Sequence, residues 1–334
     1  MTIEIRQVAP DDERAIREFY DIYVTCGRHG AAGFIPTPRA ELASMIRRPT
    51  ADFAYTAFLA YEGDQAVGEG WYAAFLRTNL NQVRATPRVL PRYRRRGIGT
   101  ALLSRLEEHA RASGRTILET TTVWAPDYGP EGTGAPNVEF ARKHGYPLVL
   151  VSAGRQLALP VTAGLLDELG AKSDPAYVIR VFAGPIPEDL VQEWAELDAS
   201  LSTEAPTGEL QIGETPPSVE AVRDHERTLA ESGQIMYNAV AISPDGGLAG
   251  YSTIVVRAAD APAGQWGTLV RRAHRGRGLG YGVKTAVIRL LQRERPDIAA
   301  TITSNALSNK AMVAVNDRLG YKVIDYLGEV QKRL

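Results

Sequence analysis

The chain contains the stretch VLPRYRRRGIGTALL, beginning at Val89, and a second copy of the same pattern, VRRAHRGRGLGYGVK, beginning at Val270. Valine, an aromatic residue or histidine, arginine and two glycines keep register at an offset of 181 residues. A Gly-Tyr pair follows each copy, 48 residues after Gly97 and 42 residues after Gly278. Self-similarity over such a distance indicates one domain that is duplicated along the chain.

The two halves predict the same order of secondary structure. A short apolar strand precedes an acidic helix start, Pro10-Asp11-Asp12 or Pro187-Glu188-Asp189, where carboxylates suit the positive end of a helix. Antiparallel strands come next, then the glycine pattern, a helix, a strand, a helix and a last strand. We therefore expect an α+β fold with two tandem domains, each a mixed, mostly antiparallel sheet flanked by helices.

The joint between the halves is predicted at residues 161–176. This segment carries Gly164, Gly170 and Pro175 and lacks the alternation of a strand. We expect an N-terminal domain at 1–160, a linker at 161–176 and a C-terminal domain at 177–334.

Length and composition exclude several classes of protein. A chain of 334 residues, of which 44% are hydrophobic and 23% charged, is typical of a globular protein with two domains. The net charge of −1 argues against a nucleic-acid or membrane partner. The single cysteine, Cys26, excludes an intramolecular disulfide, and the five histidines form no visible metal set. We therefore expect no metal. The N-terminal stretch has no signal-peptide core, so we expect a cytoplasmic protein.

A strand that ends in Arg-x-x-Gly-x-Gly and continues into a helix predicts an anion site. It places backbone N–H groups, the positive end of a helix and guanidinium groups at one point, which suits a pyrophosphate. Two rival phosphate motifs fail by spacing. The dinucleotide fingerprint lacks its third glycine in both copies, and Lys284-Thr285 follows Val283 where a Walker loop needs glycine.

At these residues the sequence resembles the GCN5-related N-acetyltransferase (GNAT) family. Arg94 to Gly99 and Arg275 to Gly280 match the acetyl-CoA loop of that family, and Asn309, Met312, Gly320 and Tyr321 fall on the slots of its later motif. The resemblance implies acetyl-CoA as co-substrate, with its arm along the backbone of the strand before each loop. The cofactor-binding residues that it implies are Leu269, Val270, Arg275, Gly276, Arg277, Gly278, Leu279, Gly280, Asn305 and Asn309 in the second half, and Val89, Arg94, Arg95, Arg96, Gly97, Ile98 and Gly99 in the first.

The sequence departs from the family pattern at the tyrosine that commonly acts as general acid. That slot holds Ala141 in the first half and Asn316 in the second. Asn316 is expected to donate a hydrogen bond to the departing sulfur, while solvent supplies the proton. Because the first half also has Gly134 where the second has Asn309, we expect the second half to be catalytic and the first to be degenerate, with some affinity for CoA.

The acceptor side is expected at the loop between the first two helices of the second half. The carboxylates near this loop, Asp198, Glu204 and Glu209, are possible bases, and Glu204 is the one selected. Packing is the expected role of Tyr251 and His274, and Cys26 is expected to be an ordinary small apolar residue. In the first half, Glu69 or Glu119 could be a buried polar group or an acceptor contact, and the sequence does not decide between these roles.

The function expected from these observations is transfer of an acetyl group from acetyl-CoA to a primary amine of a small molecule by direct attack. Two alternatives stay open, a protein or peptide N-acetyltransferase and a CoA-binding regulatory module without turnover. A nucleic-acid-binding protein would need an excess of basic residues, which a net charge of −1 does not provide. The acceptor, the acyl chain length and the oligomeric state are not predicted.

Overall fold

A computed structural model describes residues 3–204, 206, 208, 210, 216–257 and 261–334. The described chain forms two compact units. The first unit comprises residues 3–151 and 325–334, with Gly208 and Leu210. The second unit comprises the other described residues between 152 and 324.

The N-terminal half of the chain has the predicted order of elements. These are β1 (Ile3–Gln7), α1 (Glu13–Gly30), α2 (Arg39–Arg47), β2 (Phe53–Glu62), β3 (Gln65–Phe75), β4 (Gln82–Val89), α3 (Ile98–Ala112), β5 (Ile117–Trp124), α4 (Pro136–Lys143) and β6 (Leu148–Ala158). The acidic start of α1 is confirmed, since the side chain of Asp12 accepts a hydrogen bond from the backbone N–H of Ala15 at 2.9 Å.

The C-terminal half repeats that order after one extra helix. Its elements are α5 (Ala163–Gly170), β7 (Val178–Ala183), α6 (Val191–Glu204), α7 (Val219–Glu231), β8 (Ile235–Ile242), β9 (Leu248–Val256), β10 (Ala263–Val270), α8 (Leu279–Glu294), β11 (Ala300–Ala306), α9 (Lys310–Leu319) and β12 (Lys322–Arg333). The expected α+β fold with two similar halves is confirmed.

Each unit takes its last strand from the other half of the sequence. In the first unit the strand order is β1-β2-β3-β4-β5-β12, and β12 pairs with β5 from Tyr326 opposite Trp124 to Arg333 opposite Ile117. In the second unit β6 lies beside β11, followed by β10, β9, β8 and β7. One pair in each unit is parallel, β4 with β5 and β10 with β11, as a mixed sheet requires.

The predicted linker contains structure that belongs to the second unit. Helix α5 begins after Thr162, and its Leu166 and Leu169 are buried in the same core as Val283 and Val287 of α8. The compact units therefore differ from the ranges 1–160 and 177–334. The proline and glycines of this segment indicated a break in the chain, but they did not show that a short amphipathic helix between them packs on α8.

The cores follow the helical periodicity of the sequence. In the first unit α3 buries Leu102 and Leu106 on one face of the sheet, and α1 buries Ile16 and Phe19 on the other. The second unit repeats this arrangement with α8 and α6. The two helices that follow the glycine patterns are thereby held rigidly with their N-termini at the ends of β4 and β10.

Candidate active site

Each unit has an opening between its two parallel strands. Among the described residues, the ladder between β4 and β5 stops at the pair Arg84 and Glu119, although β4 continues to Val89. The ladder between β10 and β11 stops at Gly264 and Ile302, although β10 continues to Val270. The last residues of β4 and β10 therefore have backbone groups that are not used by the neighbouring parallel strand.

The glycine loops lie at the end of these openings and have the same geometry in both units. Arg94 Nε donates to the carbonyl oxygen of Val89 at 3.0 Å, and Arg275 Nε donates to that of Val270 at 3.1 Å. Gly97 and Gly278 precede α3 and α8 with φ of +82° and +70°, and neither helix start has a side-chain cap. Uncapped N–H groups at the positive end of a helix can bind a pyrophosphate, so the predicted loops fit CoA.

The other loop residues divide into backbone and side-chain contributors. The side chains of Ile98 and Leu279 are buried, so only their backbone can reach a ligand. Gly99 and Gly280 face α4 and α9, where an added Cβ would lie 3.4 Å from Phe140 and 4.0 Å from Val315. Both glycines therefore line the space between the two helices.

Two of the charged loop residues have carboxylate partners inside their own units. Arg96 contacts Glu62 at 2.6 Å, and Arg277 contacts Asp174 at 3.3 Å. Arg95 and Gly276 share a left-handed backbone, with φ of +65° and +79°, which keeps the two loops in the same shape. A phosphate at either loop would share its guanidinium contacts with these carboxylates.

The two loops differ in what covers their N-cap glycine. A Cβ added at Gly97 would meet nothing within 4 Å, whereas one added at Gly278 would lie 1.9 Å from the carbonyl oxygen of Lys172. The backbone N–H of Asp174 also donates to the carbonyl of Arg277 at 2.9 Å. The segment after α5 therefore packs along the side of the second loop.

The hydrogen bonds of β4 and β10 determine which amides face the opening. Leu90 N–H donates to Val67 of β3, and Arg271 N–H donates to Ala249 of β9. Because amides alternate along an antiparallel strand, the N–H groups of Val89 and Val270 point away from those neighbours, toward the opening. Leu269 has the opposite orientation: its amide faces β9 and its side chain is buried, so its predicted contact with the arm is not supported.

The next amide toward the opening distinguishes the two units. Val89 of β4 pairs with Gly68 of β3, and Val270 of β10 pairs with Gly250 of β9. Two residues earlier on these strands, Pro87 also pairs with β3 and Thr268 also pairs with β9. Thr268 has an N–H that faces the opening, whereas Pro87 has none. The second unit therefore has a backbone donor that the first unit lacks.

Asn316 is fully buried and joined to the wall of the second opening. Its Nδ2 donates to Oδ1 of Asn305 on β11, while its own Oδ1 is buried without a hydrogen-bond partner. Asn309 caps α9, because its side chain accepts from the N–H of Met312 at 3.2 Å. The structure thus brings Asn305 and Asn316 together and gives Asn309 a contact within its own helix.

The space beneath α8 and α9 is polar where its counterpart in the first unit is apolar. Lys284 and Leu103 each follow the N-cap glycine by six residues, and both are buried. Asn316 likewise corresponds to the buried Ala141, four residues before the Gly-Tyr pair. Burial lowers the pKa of Lys284 to about 7.

Of the candidate bases in the second unit, Glu204 contacts the loop. Its Oε2 lies 2.6 Å from Arg275 and 3.6 Å from Arg272. Glu209 lies outside the described residues. Asp198 accepts a hydrogen bond of 2.7 Å from the hydroxyl of Tyr251. Burial, and next the carboxylate of Asp198, raise the pKa of Tyr251 well above its ordinary value.

The two carboxylates noted in the first half are both paired with arginine. Glu69 is completely buried, and its Oε1 accepts from Arg88 at 2.5 Å. Burial raises the pKa of Glu69, and Arg88 opposes that shift. Glu119 accepts from Arg84 at 2.7 Å. Both carboxylates are therefore buried polar groups, and Glu69 lies at the ladder position that Tyr251 occupies in the second unit.

The remaining candidates have packing roles. His274 Nδ1 lies 2.9 Å from the hydroxyl of Tyr177. Cys26 is buried, and burial raises the pKa of its thiol to about 11, so it stays protonated at neutral pH and is a poor nucleophile. Within the described ranges, no group of three or more His, Cys, Asp and Glu could hold a metal ion. In the same ranges no helix is long and apolar enough to cross a membrane.

Comparison with known proteins agrees with this geometry. Residues 54–147 match the sequence profile of the Acetyltransferase (GNAT) domain family. No curated protein sequence matched the chain. The fold is similar to that of a tandem GNAT protein from the clavulanic acid biosynthesis pathway, with a TM-score of 0.78 and 24% identity over 99% of this chain and 98% of that one.

Further solved structures share the fold over nearly the whole chain. A GCN5-related N-acetyltransferase from Sphaerobacter thermophilus has a TM-score of 0.68 and 16% identity, over 99% of this chain and 95% of that one. An acetyltransferase from Pyrococcus horikoshii, described as putative in its name, has a TM-score of 0.56 and 15% identity, over 99% and 89%. Residues 54–147 thus match the GNAT acetyltransferase domain family, whose members use acetyl-CoA as their acetyl donor, and the chain as a whole has the fold of the tandem GNAT protein.

Proposed function

We propose that this protein transfers an acetyl group from acetyl-CoA to a primary amine of a small molecule, and that the reaction takes place in the second unit. The single observation that carries the proposal is the N–H of Thr268, which faces the opening beside β11 on the same strand edge as Val270. Direct attack by an amine on a thioester creates negative charge on the carbonyl oxygen. A fixed backbone donor beside that oxygen stabilises the charge without reorganisation.

The loop from Arg275 to Gly280 positions the donor. A pyrophosphate at the start of α8 leaves the pantetheine arm to run back along β10, where the N–H of Val270 is available as an edge-strand donor. Asn316 is joined to Asn305 of β11, the strand on the other side of the opening, and has a buried carbonyl oxygen that lacks a partner. We propose that this oxygen accepts an N–H of the arm, which places Asn316 in the binding of the thioester end.

The first unit is proposed to bind CoA without turnover. It has the same loop and the same outward amide at Val89, but Pro87 removes the second donor. The Glu69 and Arg88 side chains pair beside this position, and Arg88 lies 5.2 Å from the ring centroid of Tyr23. The alternative of a CoA-binding regulatory module without turnover is thus proposed for the first unit only.

A proline exchange tests the proposal. Thr268→Pro copies the first unit and removes an N–H that the ladder with β9 does not use, so the sheet should persist. We expect acetyl-CoA consumption, measured across a library of amines, to fall about a hundredfold, the scale of one lost oxyanion donor. Calorimetric binding of CoA should change little. Pro87→Ala is the matched control and should leave turnover unchanged. Full activity of a folded Thr268→Pro protein would refute the assignment.

A protein or peptide acceptor is the second candidate for the same chemistry. It would be favoured if lysine-containing peptides supported faster acetyl-CoA consumption than free amines at equal concentration. Thr268→Pro should lower either activity about a hundredfold, so that variant tests where the reaction takes place, whichever acceptor is used.

A further inference from the structure

The hydroxyl of Tyr251 lies over β10, the strand that borders the opening of the second unit. A Cβ added at Gly267 would lie 2.6 Å from that hydroxyl, so the ring passes over β10 at a residue that has no side chain. Trp194 packs on the ring from the α6 side, with centroids 4.4 Å apart. The phenol is therefore fixed in direction, with its oxygen over Gly267 of the strand that borders the opening.

The place where the hydroxyl arrives is an irregularity in β10. The pairing with β9 shifts between Gln265 and Thr268, which is a β-bulge, and the parallel ladder with β11 stops just before it at Gly264. Thr268, whose N–H faces the opening, is the next residue after Gly267. The hydroxyl and the backbone donor thus approach the same part of the opening from neighbouring residues.

Asp198 fixes the proton of the hydroxyl. Tyr251 donates to Oδ1 of Asp198 at 2.7 Å, so the lone pairs of its oxygen remain available to accept from a ligand. The Tyr251 ring is almost completely buried, whereas Asp198 on α6 is exposed and can exchange protons with solvent. The hydrogen bond therefore links a buried phenol oxygen to a carboxylate that is exposed to solvent.

We infer that Tyr251 and Asp198 form a proton relay that binds the acceptor amine and removes its proton during acetyl transfer. This inference rests on the proposed function. The amine nitrogen forms a bond to the thioester carbonyl carbon, the carbon–sulfur bond breaks, and its electron pair leaves on the CoA sulfur. As nitrogen becomes positive, its proton passes to the Tyr251 oxygen and the phenolic proton passes to Asp198. Asp198 then returns a proton through water to the thiolate, which balances amine and thioester against amide and thiol.

The first unit shows what this position looks like without a relay. Glu69 occupies the ladder position of Tyr251, and Arg88 occupies that of Leu269. The partner of the Glu69 side chain is thus Arg88, in place of the exposed carboxylate that Tyr251 contacts. The relay is therefore a property of the second unit alone, in agreement with the location of the Thr268 donor.

The test uses the full chain and two measurements. Tyr251→Phe keeps the ring and removes the hydroxyl, and Asp198→Asn keeps the shape and removes the base. We expect each variant to lower kcat about a hundredfold or more, with the KM for acetyl-CoA and the melting temperature nearly unchanged. The double variant should lose no more than the worse single variant, because the two residues act as one unit. Tyr61→Phe is the matched control, since Tyr61 donates to Glu18 at the same distance of 2.7 Å in the first unit.

The second measurement is calorimetric binding of the same amines to the CoA-loaded protein. We expect Tyr251→Phe to weaken amine binding at least fivefold. A wild-type protein that binds amines through Tyr251 but consumes no acetyl-CoA would refute the proposed function and support the hydroxyl as the amine contact. An active wild type with Tyr251→Phe and Asp198→Asn both within threefold of it would refute the relay and leave the proposed function standing.

Discussion

The amine of Lys284 lies 5.2 Å from the ring centroid of Tyr321, inside the core of the second unit, where the first unit has Leu103 near Tyr146. Lys284 is 1% exposed, and burial lowers its pKa to about 7. In the unfolded chain the pKa is about 10.4. Between these values the unfolded chain binds more protons than the folded one, so this residue makes stability rise with pH, and the cost of a buried ammonium is complete below about pH 7.

Lys284→Leu should therefore stabilise the protein, most at and below pH 7. The difference in unfolding free energy between variant and wild type should shrink by about 1.4 kcal/mol per pH unit from pH 7 to pH 9. Urea unfolding at pH 7, 8 and 9 measures this difference. Lys310→Leu, at an exposed position, is the control and should show no such trend. A difference that stays constant over this range would contradict the buried neutral amine.

Alanine at Gly278 should cost more stability than alanine at Gly97. Both glycines have a left-handed backbone, so the conformational cost of about 1–2 kcal/mol is common to the two variants. Only Gly278 is packed against Lys172, whose carbonyl oxygen leaves no room for a Cβ. Thermal unfolding of the two variants isolates that clash as the difference between them. Equal melting temperatures would show that the segment after α5 does not pack on the second loop.

Lys332 and Glu107 should be energetically coupled although 225 residues separate them. Lys332 Nζ on β12 donates to Glu107 Oε1 at 2.9 Å and to the carbonyl oxygen of His144 at 3.1 Å, all within the first unit. A double-mutant cycle with Lys332→Met and Glu107→Gln should give a coupling of about 0.5–1 kcal/mol, because the pair is partly exposed. Zero coupling would indicate that β12 does not complete the sheet of the first unit.

Asn316→Ala should weaken binding of acetyl-CoA at the second loop about tenfold and change kcat less. The expected loss corresponds to one hydrogen bond of about 1–1.5 kcal/mol between the arm and Oδ1 of Asn316. Calorimetry and steady-state kinetics separate the two effects. Ala141→Gly, at the matching slot of the first unit, should leave both quantities unchanged. A large fall in kcat with normal affinity would instead support the hydrogen bond to sulfur that the sequence suggested.

The sequence was sufficient for the duplication, the order of elements and the positions of the two glycine loops. These features depend on residues close together in the chain: the arginine that caps the strand end, the glycines with left-handed φ, and the helical spacing of Leu102 and Leu106. Local geometry determines them, so a local pattern can predict them. The absence of the family's tyrosine was also visible in the sequence, because Ala141 and Asn316 each lie four residues before a Gly-Tyr pair.

The sequence could not show the direction of individual amides and side chains. Leu269 and Thr268 are adjacent, yet strand alternation and a bulge turn only Thr268 toward the opening. Tyr251 was expected to pack, and its contact with Asp198 depends on the missing side chain of Gly267, 16 residues later. Glu204 was selected from the same loop region, but the fold places it on Arg275.

The sequence by itself determined that the chain holds two copies of one α+β domain, because each copy repeats the same local patterns. Only the tertiary structure decided which copy each last strand completes. β6 and β12 follow equivalent helices, and they pair antiparallel with the equivalent strands β11 and β5, so no local pattern distinguishes the two partners. The choice depends on contacts between residues far apart in the chain, such as Lys332 with Glu107 and Arg155 with Asp317. These contacts between opposite charges form only in the folded chain, in which β12 lies in the first unit and β6 in the second.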